Sequence, residues 1–448
     1  MKLKCVEIEN YRAIEHLRLP LDPELTVLHG DNTCGKTSVL SAIAVGLGAI
    51  PKFLPGGSGI DFLETDLRAA ESFVQVDVTT TDEFAWKRER FVGGGLEGAA
   101  TQTHGLEALK DKLSDIVLAD REANPPIALP IVAFYDTNRA ALHVPEHGGT
   151  TGRRYAAKAA QTEMLARVGQ RQDYPRYAAL DGALDAQVDF SALFTWFYAR
   201  ENDELREQKR RDDFSYRLND LSAVRRAIRA MLDGMSEPRV DTEPLRFSVS
   251  VATGEGRMEV LELDQLSDGQ RAVLALAADL AWRMARANPH LDDPLTSEAI
   301  VLIDEVELHL HPSWQQRILK DLRRTFPNAQ FIVSTHSPQV LTTVKPEHVV
   351  ELARADGRIV AGSAAGWTYG AEAGDVLSAV MRVNERPVND FTEKLANYRY
   401  FVSQGQGETE EALALRAALE RLSPEDPALA RADLEIRQRR LFKQMAKP

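Results

Sequence analysis

Apolar residues recur at Leu3, Cys5, Val6 and Ile8 and again at Leu17 and Leu19, which predicts two strands joined by a turn near Arg12–Glu15. Leu25-Thr26-Val27-Leu28 reads as a short buried strand that runs into His29 and Gly30. A helix follows over Thr37–Val45, with Val39, Leu40, Ile43 and Ala44 at its apolar positions. Residues 72–79 and 86–92 form a hairpin pair, and Gly93-Gly94-Gly95 gives the second strand a flexible exit. Helical spacing returns over Leu106–Val117 and ends before Pro125-Pro126; Leu129–Tyr135 is another compact apolar strand. Residues 143–154, rich in Gly and Thr, read as a mobile loop.

From Asp189 to Gly234 the chain is highly charged, yet Phe190, Leu193, Phe194 and Phe197 keep helical spacing, as do Leu218, Leu221, Val224, Ile228 and Met231. This pattern predicts two helices forming a protruding hairpin or lid. Strands return over 244–262, a long helix covers Ala272–Ala287, and strands alternate with helices from Ile300 to Val350. The tail after Gly366 is mostly helical and ends in a segment rich in Arg and Glu.

Composition narrows the class. With 44% hydrophobic and 27% charged residues in 448, the chain is an ordinary globular protein long enough for a sizeable core. The net charge of −13 argues against a protein that coats nucleic acid, which needs a basic surface. Two clusters, Lys209-Arg210-Arg211 and Arg437-Gln438-Arg439-Arg440, are interleaved with acids and read as solvated helical faces. Two cysteines, Cys5 and Cys34, exclude a disulfide framework and a cysteine-rich zinc site. The first residues lack the apolar core of a signal peptide, and the most apolar stretch, Ala272–Ala281, is too short to span a bilayer. The expected setting is the cytoplasm, with no membrane partner.

Candidate chemistry lies at the ends of the predicted strands. Gly30-Asp31-Asn32-Thr33-Cys34-Gly35-Lys36-Thr37 fits G-x-x-x-x-G-K-[ST] between a strand and a helix. Its glycines let backbone N–H groups wrap a phosphate at a helix N-terminus. Lys36 would neutralise the β- and γ-phosphates of a bound nucleotide, and the Thr37 hydroxyl would ligate Mg²⁺. Ile300–Ile303 delivers Asp304 and Glu305 at a strand end: Asp304 suits the Mg²⁺ and Glu305 suits a general base for the attacking water. Taken alone, such a pair equally fits a solvated N-cap. Phe331–Thr335 repeats the pattern and ends in His336, placed to reach the γ-phosphate. His309 and His311 have the spacing of a metal pair, but without further ligands nearby they read as a turn leading into a helix at Pro312. Ser267 can cap the helix that follows it, and Gly269 permits close approach of backbone to a phosphate. Gln75 fits an ordinary strand position as well as any nucleotide-sensing one.

Four segments in order, GDNTCGKTS (30–38), LSDGQ (266–270), VLIDEVELHLHP (301–312) and STHSP (334–338), resemble the ATP-binding cassette ATPases of the SMC, RecF and OLD type. The resemblance implies an α/β fold: an ABC-type P-loop NTPase head, a mixed sheet flanked by helices, with an inserted helical lid or short arm and a C-terminal helical extension. It assigns residues 1–150 to an N-terminal lobe with the Walker A motif and 151–240 to the insertion. Residues 241–365 become a C-terminal lobe with signature, Walker B and His switch, and 366–448 an extension that contacts oligomer or partner. It implies ATP and Mg²⁺ as ligands, residues 30–38 (Ser38 included) and the signature Ser267, Gly269 and Gln270 as the nucleotide site, and a homodimer or larger assembly in which the signature acts in trans.

No sustained heptads lie between Ser38 and Leu266, and no Toprim-like acidic motif follows Pro338. The chain is therefore most similar to compact ATPases of bacterial anti-phage systems, the group that includes PtuA of Septu and the ATPase of PARIS. LPIVAFYDTNRA (129–140) and WTYGAEAGDVLSAVM (367–381) add to that likeness. It implies an ATPase that senses infection, with a phage protein or DNA as trigger, and controls a separately encoded HNH or Toprim nuclease. The alternatives are a RecF-like repair ATPase acting directly on DNA, and a nucleotide-gated scaffold with negligible hydrolysis.

Overall fold

The computed structural model describes residues 1–91, 106–137, 176–185, 190–242, 245–252, 257–364, 366–384 and 386–445. Gly93–Gly95, residues 143–154 and the last three residues of 129–140 lie outside them. The chain divides into two compact units, Met1–Met381 and Arg382–Pro448.

Among the described residues the first unit holds three sheets. Strands β1 (Leu3–Tyr11), β2 (Ile14–Pro20), β4 (Phe73–Thr80) and β5 (Ala85–Phe91) make an antiparallel sheet in the order β2-β1-β4-β5. The run Leu3, Cys5, Val6, Ile8 breaks strict alternation because a register shift falls between Leu3 and Cys5. This shift moves the buried phase from odd to even positions, so Leu3, Val6 and Ile8 all face the core.

The central sheet has six strands in the order β13-β12-β3-β11-β10-β6. These are β3 (Leu25–His29), β6 (Ile131–Tyr135), β10 (Ala299–Ile303), β11 (Ala329–Ser334), β12 (Val349–Ala355) and β13 (Arg358–Ser363). All pairings are parallel except β12 with β13. Every residue of β3, β6, β10 and β11 is buried, which is why these strands appear in the sequence as mostly apolar runs; the polar Gln330 of β11 is accommodated by donating to the Leu3 and Asp22 carbonyls at 2.7 and 2.8 Å. The helix Lys36–Leu47 is buried nearly all round; the Trp86 indole donates to its Gly46 carbonyl at 2.9 Å, and Gly46 backs onto Val76 and Val78 of β4. A third, antiparallel sheet contains β7 (Met235–Thr242), β8 (Leu245–Ala252) and β9 (Met258–Glu262).

The charged segment expected to protrude folds back onto this unit. Its first helix, Phe190–Arg211, buries Phe190 and Phe197 edge-on against Phe247 of β8, with ring centroids 5.7 and 5.3 Å apart. Its second, Asn219–Met231, buries Leu221, Val224, Ala227, Ile228 and Met231 in the main core. The turn between them is open to solvent, where Phe214 is 75% exposed, as is the end of the first helix around Leu205 and Lys209–Arg211. Part of the charge that suggested a solvated arm is paired internally: Arg225 bonds Glu204 at 2.6 Å and Glu201 at 3.0 Å, and Glu201 accepts the Val240 N–H at 2.9 Å.

Residues 366–381 likewise pack with the first unit. Thr368 Oγ1 donates to the Val344 carbonyl at 2.6 Å, and Val376 and Val380 sit in the same core, so the second unit begins at Arg382 and not near 366. That unit is three helices, Asp390–Ser403, Glu410–Leu422 and Pro427–Met445, around Leu395, Tyr398, Val402, Leu419 and Leu429. Among the described residues no helix is long and apolar enough to cross a membrane.

Candidate functional site

Parallel pairing puts the carboxyl ends of β3, β11, β10 and β6 side by side. Ile303 is level with Val333 and Tyr135, and Ser334 with Leu28. The residues just beyond each strand, Gly30–Lys36, Ser334–His336, Asp304–Glu305 and Tyr135, therefore converge on one edge.

The loop after β3 needs its glycines for two reasons. Gly30 (φ +149°) and Gly35 (φ +83°) adopt backbone angles that strain other residues. A Cβ on Gly30 would also lie 2.1 Å from the Leu352 carbonyl oxygen, and one on Gly35 2.9 Å from Ile359 Cδ1, so the loop is seated against the β12–β13 hairpin. Thr33 takes a positive φ of +73° as well, while Asp31 and Asn32 are exposed and Cys34 is buried. Gly35 caps the helix Lys36–Leu47, leaving its first N–H groups for an anion. Lys36 is buried and donates through Nζ to the carbonyls of Gly30 at 2.8 Å and Asp31 at 3.0 Å. Burial pushes its ammonium below the ordinary lysine range, opposed by Cys34, Asp304, Glu305 and Asp31 around it. Ser38, half-buried, completes the first turn.

Asp304 is buried, so it is not a solvated cap. Its N–H donates to the Tyr135 carbonyl at 2.8 Å, Thr37 Oγ1 donates to its Oδ2 at 2.7 Å, and Ser334 Oγ donates to its Oδ1. Ser334 Oγ in turn accepts the Glu305 N–H at 2.8 Å. Glu305 is half-buried and held at φ +46°, a conformation uncommon for glutamate and found here where the strand turns out of the sheet. The half-exposed His336 follows the adjacent strand, its N–H donating to Glu307, whose other oxygen accepts from Thr335 Oγ1 at 2.7 Å. The structure thus brings Lys36, Thr37, Asp304, Glu305 and His336 to one edge. Sequence reading missed Ser334 and Glu307; the signal for Ser334 is the β10–β11 register, which sets it beside Asp304 once Ile303 is paired with Val333.

The donors that meet, a threonine hydroxyl and a carboxylate, are hard oxygens of the kind Mg²⁺ prefers beside phosphate, so the residues fit that ion. His309 and His311 do not make a metal pair. His311 caps a short turn with Pro312 in its first position, and among the described residues no group of three or more His, Cys, Asp or Glu could hold a metal. Gln75 Nε2 donates to Asp77 on its own strand at 2.6 Å. Both basic clusters are ion-paired: Arg210 and Arg211 with Glu207, Arg439 with Glu435, Arg440 with Glu408.

Ser267 caps the helix Asp268–Ala287 in a reciprocal box: its N–H donates to Gln270 Oε1 at 3.0 Å and its Oγ accepts the Gln270 N–H at 3.3 Å. Ser267 is exposed and Gly269 buried. A Cβ on Gly269 would fall 2.5 Å from the His309 carbonyl oxygen, so the glycine makes room for the turn that follows Glu305 in the same chain.

Two family models match. "AAA ATPase domain" covers residues 1–86, with the phosphate loop, and "AAA domain, putative AbiEii toxin, Type IV TA system" covers 177–342, with Ser267, Asp304, Glu305 and His336. The chain is 26% identical to the Retron Ec83 probable ATPase of Escherichia coli, over 98% of this chain and 87% of that protein. It is 34% identical to the Septu protein PtuA of Bacillus mycoides over 27% of this chain and 16% of that one. A solved SMC head bound to the C-winged helix domain of ScpA superposes with a TM-score of 0.45 at 15% identity, covering 81% of this chain and 98% of that one. The phosphate loop lies in the first of these segments and the paired carboxylates in the second, so both stretches of the chain are similar to AAA ATPase domains, and the structure brings them together at one end of the largely parallel sheet.

Proposed function

We propose that this chain binds and hydrolyses ATP as the ATPase subunit of a cytoplasmic anti-phage defence complex, and that paired heads control a separately encoded nuclease of HNH or Toprim type. The ATPase half of this reading is carried by the hydrogen bond between Thr37 Oγ1 and Asp304 Oδ2, which joins the phosphate loop to the acidic strand end. The defence half is supported by the likeness to a retron ATPase along nearly the whole chain.

Backbone N–H groups of residues 30–38 cradle the phosphates, and Lys36 moves from the Gly30 and Asp31 carbonyls onto the β- and γ-phosphate oxygens. Thr37 and Asp304 would hold Mg²⁺, which would supply positive charge to offset that of the phosphates. Glu305 takes a proton from the attacking water, and His336 hydrogen-bonds the γ-phosphate or that water. Ser267, Gly269 and Gln270 of a second copy close the site from the other side, so ATP clamps two heads together and hydrolysis frees them. In the second unit, exposed Leu434, Leu441 and Phe442 lie along the helix Pro427–Met445 and support a role in contacting oligomer or partner.

The experiment is a set of two variants in the purified chain and in cells carrying the whole system. Glu305→Gln binds ATP, ceases turnover and accumulates a larger species on size exclusion; unchanged turnover removes the base assignment. Lys36→Ala loses nucleotide binding and phage protection together. Undiminished binding sinks the phosphate-loop reading, and intact protection sinks the defence role.

A further inference from the structure

Glu307 lies three residues beyond Asp304, outside the residues that touch nucleotide in the reading above. Its carboxylate is nonetheless fully engaged by the neighbouring strand end. One oxygen accepts the backbone N–H of His336, and the other accepts from Thr335 Oγ1 at 2.7 Å. Thr335 is completely buried, and its Oγ1 also accepts the Ser337 N–H at 3.0 Å, so one hydroxyl fixes the residues on both sides of His336. Ser337 Oγ donates to Gln315 Oε1 at 2.6 Å, and Gln315 Nε2 returns to the Leu310 carbonyl at 2.8 Å. The turn bearing His336 is therefore tied at two places to the segment that leaves the Asp304–Glu305 strand. His336 has a half-exposed ring on a backbone that cannot shift without breaking these bonds.

A carboxylate accepting two hydrogen bonds across two strand ends pins one against the other more firmly than neutral groups would. We infer that Glu307 is a positioning residue for His336, its carboxylate fixing the turn from which the imidazole reaches the nucleotide. The inference rests on the reading of His336 as a group that touches the γ-phosphate or the attacking water. It gives Glu307 no proton to move: both oxygens are occupied by donors from the protein.

The test is a double-mutant cycle on the full chain, reading kcat and KM for ATP. Glu307→Ala lowers kcat about tenfold or more while KM stays within about threefold, because the lost contact acts on the reacting end and not on ATP binding. Thr335→Val, which keeps the side chain's shape but removes one of the two bonds to Glu307 together with the acceptor of the Ser337 N–H, lowers kcat in the same direction, and it carries the test if Glu307→Ala does not fold. Glu307→Gln keeps an acceptor for the His336 N–H but turns the acceptor of the Thr335 hydroxyl into a donor, so kcat falls less than in Glu307→Ala. In a His336→Ala background, Glu307→Ala costs nothing further, since residues acting as a unit are non-additive. An equal loss in that background overturns the positioning role. A Glu307→Gln variant as inactive as Glu307→Ala overturns it too, because the carboxylate would then act chemically. Unchanged turnover in His336→Ala alone defeats the underlying reading of His336, an outcome distinct from the other two.

Discussion

Replacing Gly269 by alanine sets two effects of opposite sign against each other at the signature. Alanine in a helix is favoured over glycine by up to about 1 kcal/mol, less in a first turn such as this one. Against that, the added Cβ would sit 2.5 Å from the His309 carbonyl oxygen and 3.4 Å from its carbon. Neither side yields easily. The helix start is locked by the Ser267–Gln270 box, and His309 already holds a left-handed φ of +63°. Overpacking of this kind costs about 1–3 kcal/mol. The clash wins, and Gly269→Ala loses about 1–2 kcal/mol of unfolding free energy, with the Glu307–Leu310 turn displaced. Denaturant unfolding followed by tryptophan fluorescence reads the loss as a lower midpoint at unchanged slope. Gly362→Ala is the control: nothing lies within 4 Å of its Cβ, and its stability stays within about 0.5 kcal/mol of the parent. In the Glu305→Gln background, Gly269→Ala also weakens ATP-dependent assembly, because the added methyl lies within the signature itself. A Gly269→Ala protein unfolding at the parent midpoint would refute the reasoning, since it would mean that the close approach to His309 is not tight.

Two further outcomes follow from buried charge. Tyr135→Phe removes a hydrogen bond of 2.8 Å to Asp279, whose carboxylate is otherwise held by Arg283 at 2.8 Å in full burial, and costs about 1.5–3 kcal/mol of stability. ATP affinity is unchanged, because Asp304 is held by the Tyr135 backbone carbonyl, which phenylalanine keeps; a matching loss of affinity contradicts this. Lys36 is depressed by burial, so the unfolded chain binds more protons than the folded one at alkaline pH, and this group's contribution to stability rises with pH there. Lys36→Met is accordingly more stable than the parent at neutral pH without nucleotide. The difference narrows as pH rises toward the ordinary lysine value, and a gap independent of pH rules out the assignment to Lys36.

What the sequence determined by itself is local. Strands buried on both faces are mostly apolar runs, so β3, β6, β10 and β11 were legible, as was the hairpin β4–β5. The phosphate loop was legible because its glycines, lysine and threonine serve one another within eight residues. Ser267 and Gln270 sit three residues apart, the spacing of a helix cap, and His311-Pro312 likewise marks a helix start.

Tertiary structure decided the rest. An apolar run says that a strand is buried, not which strands flank it, so the order β13-β12-β3-β11-β10-β6 is absent from the pattern. With that order come Ser334 beside Asp304, Glu307 under His336, and Tyr135 bonded to Asp279, pairs brought together only by parallel register and helix packing. The charged segment read as a lid fails for the same reason. A charge counts as solvated until its partner is known, and Arg225, Glu204 and Glu201 find theirs only when the two helices close on each other and on β7. Local backbone chemistry can be written in neighbouring residues; partnership across the fold cannot, because the distance that matters is in space and the chain records only order.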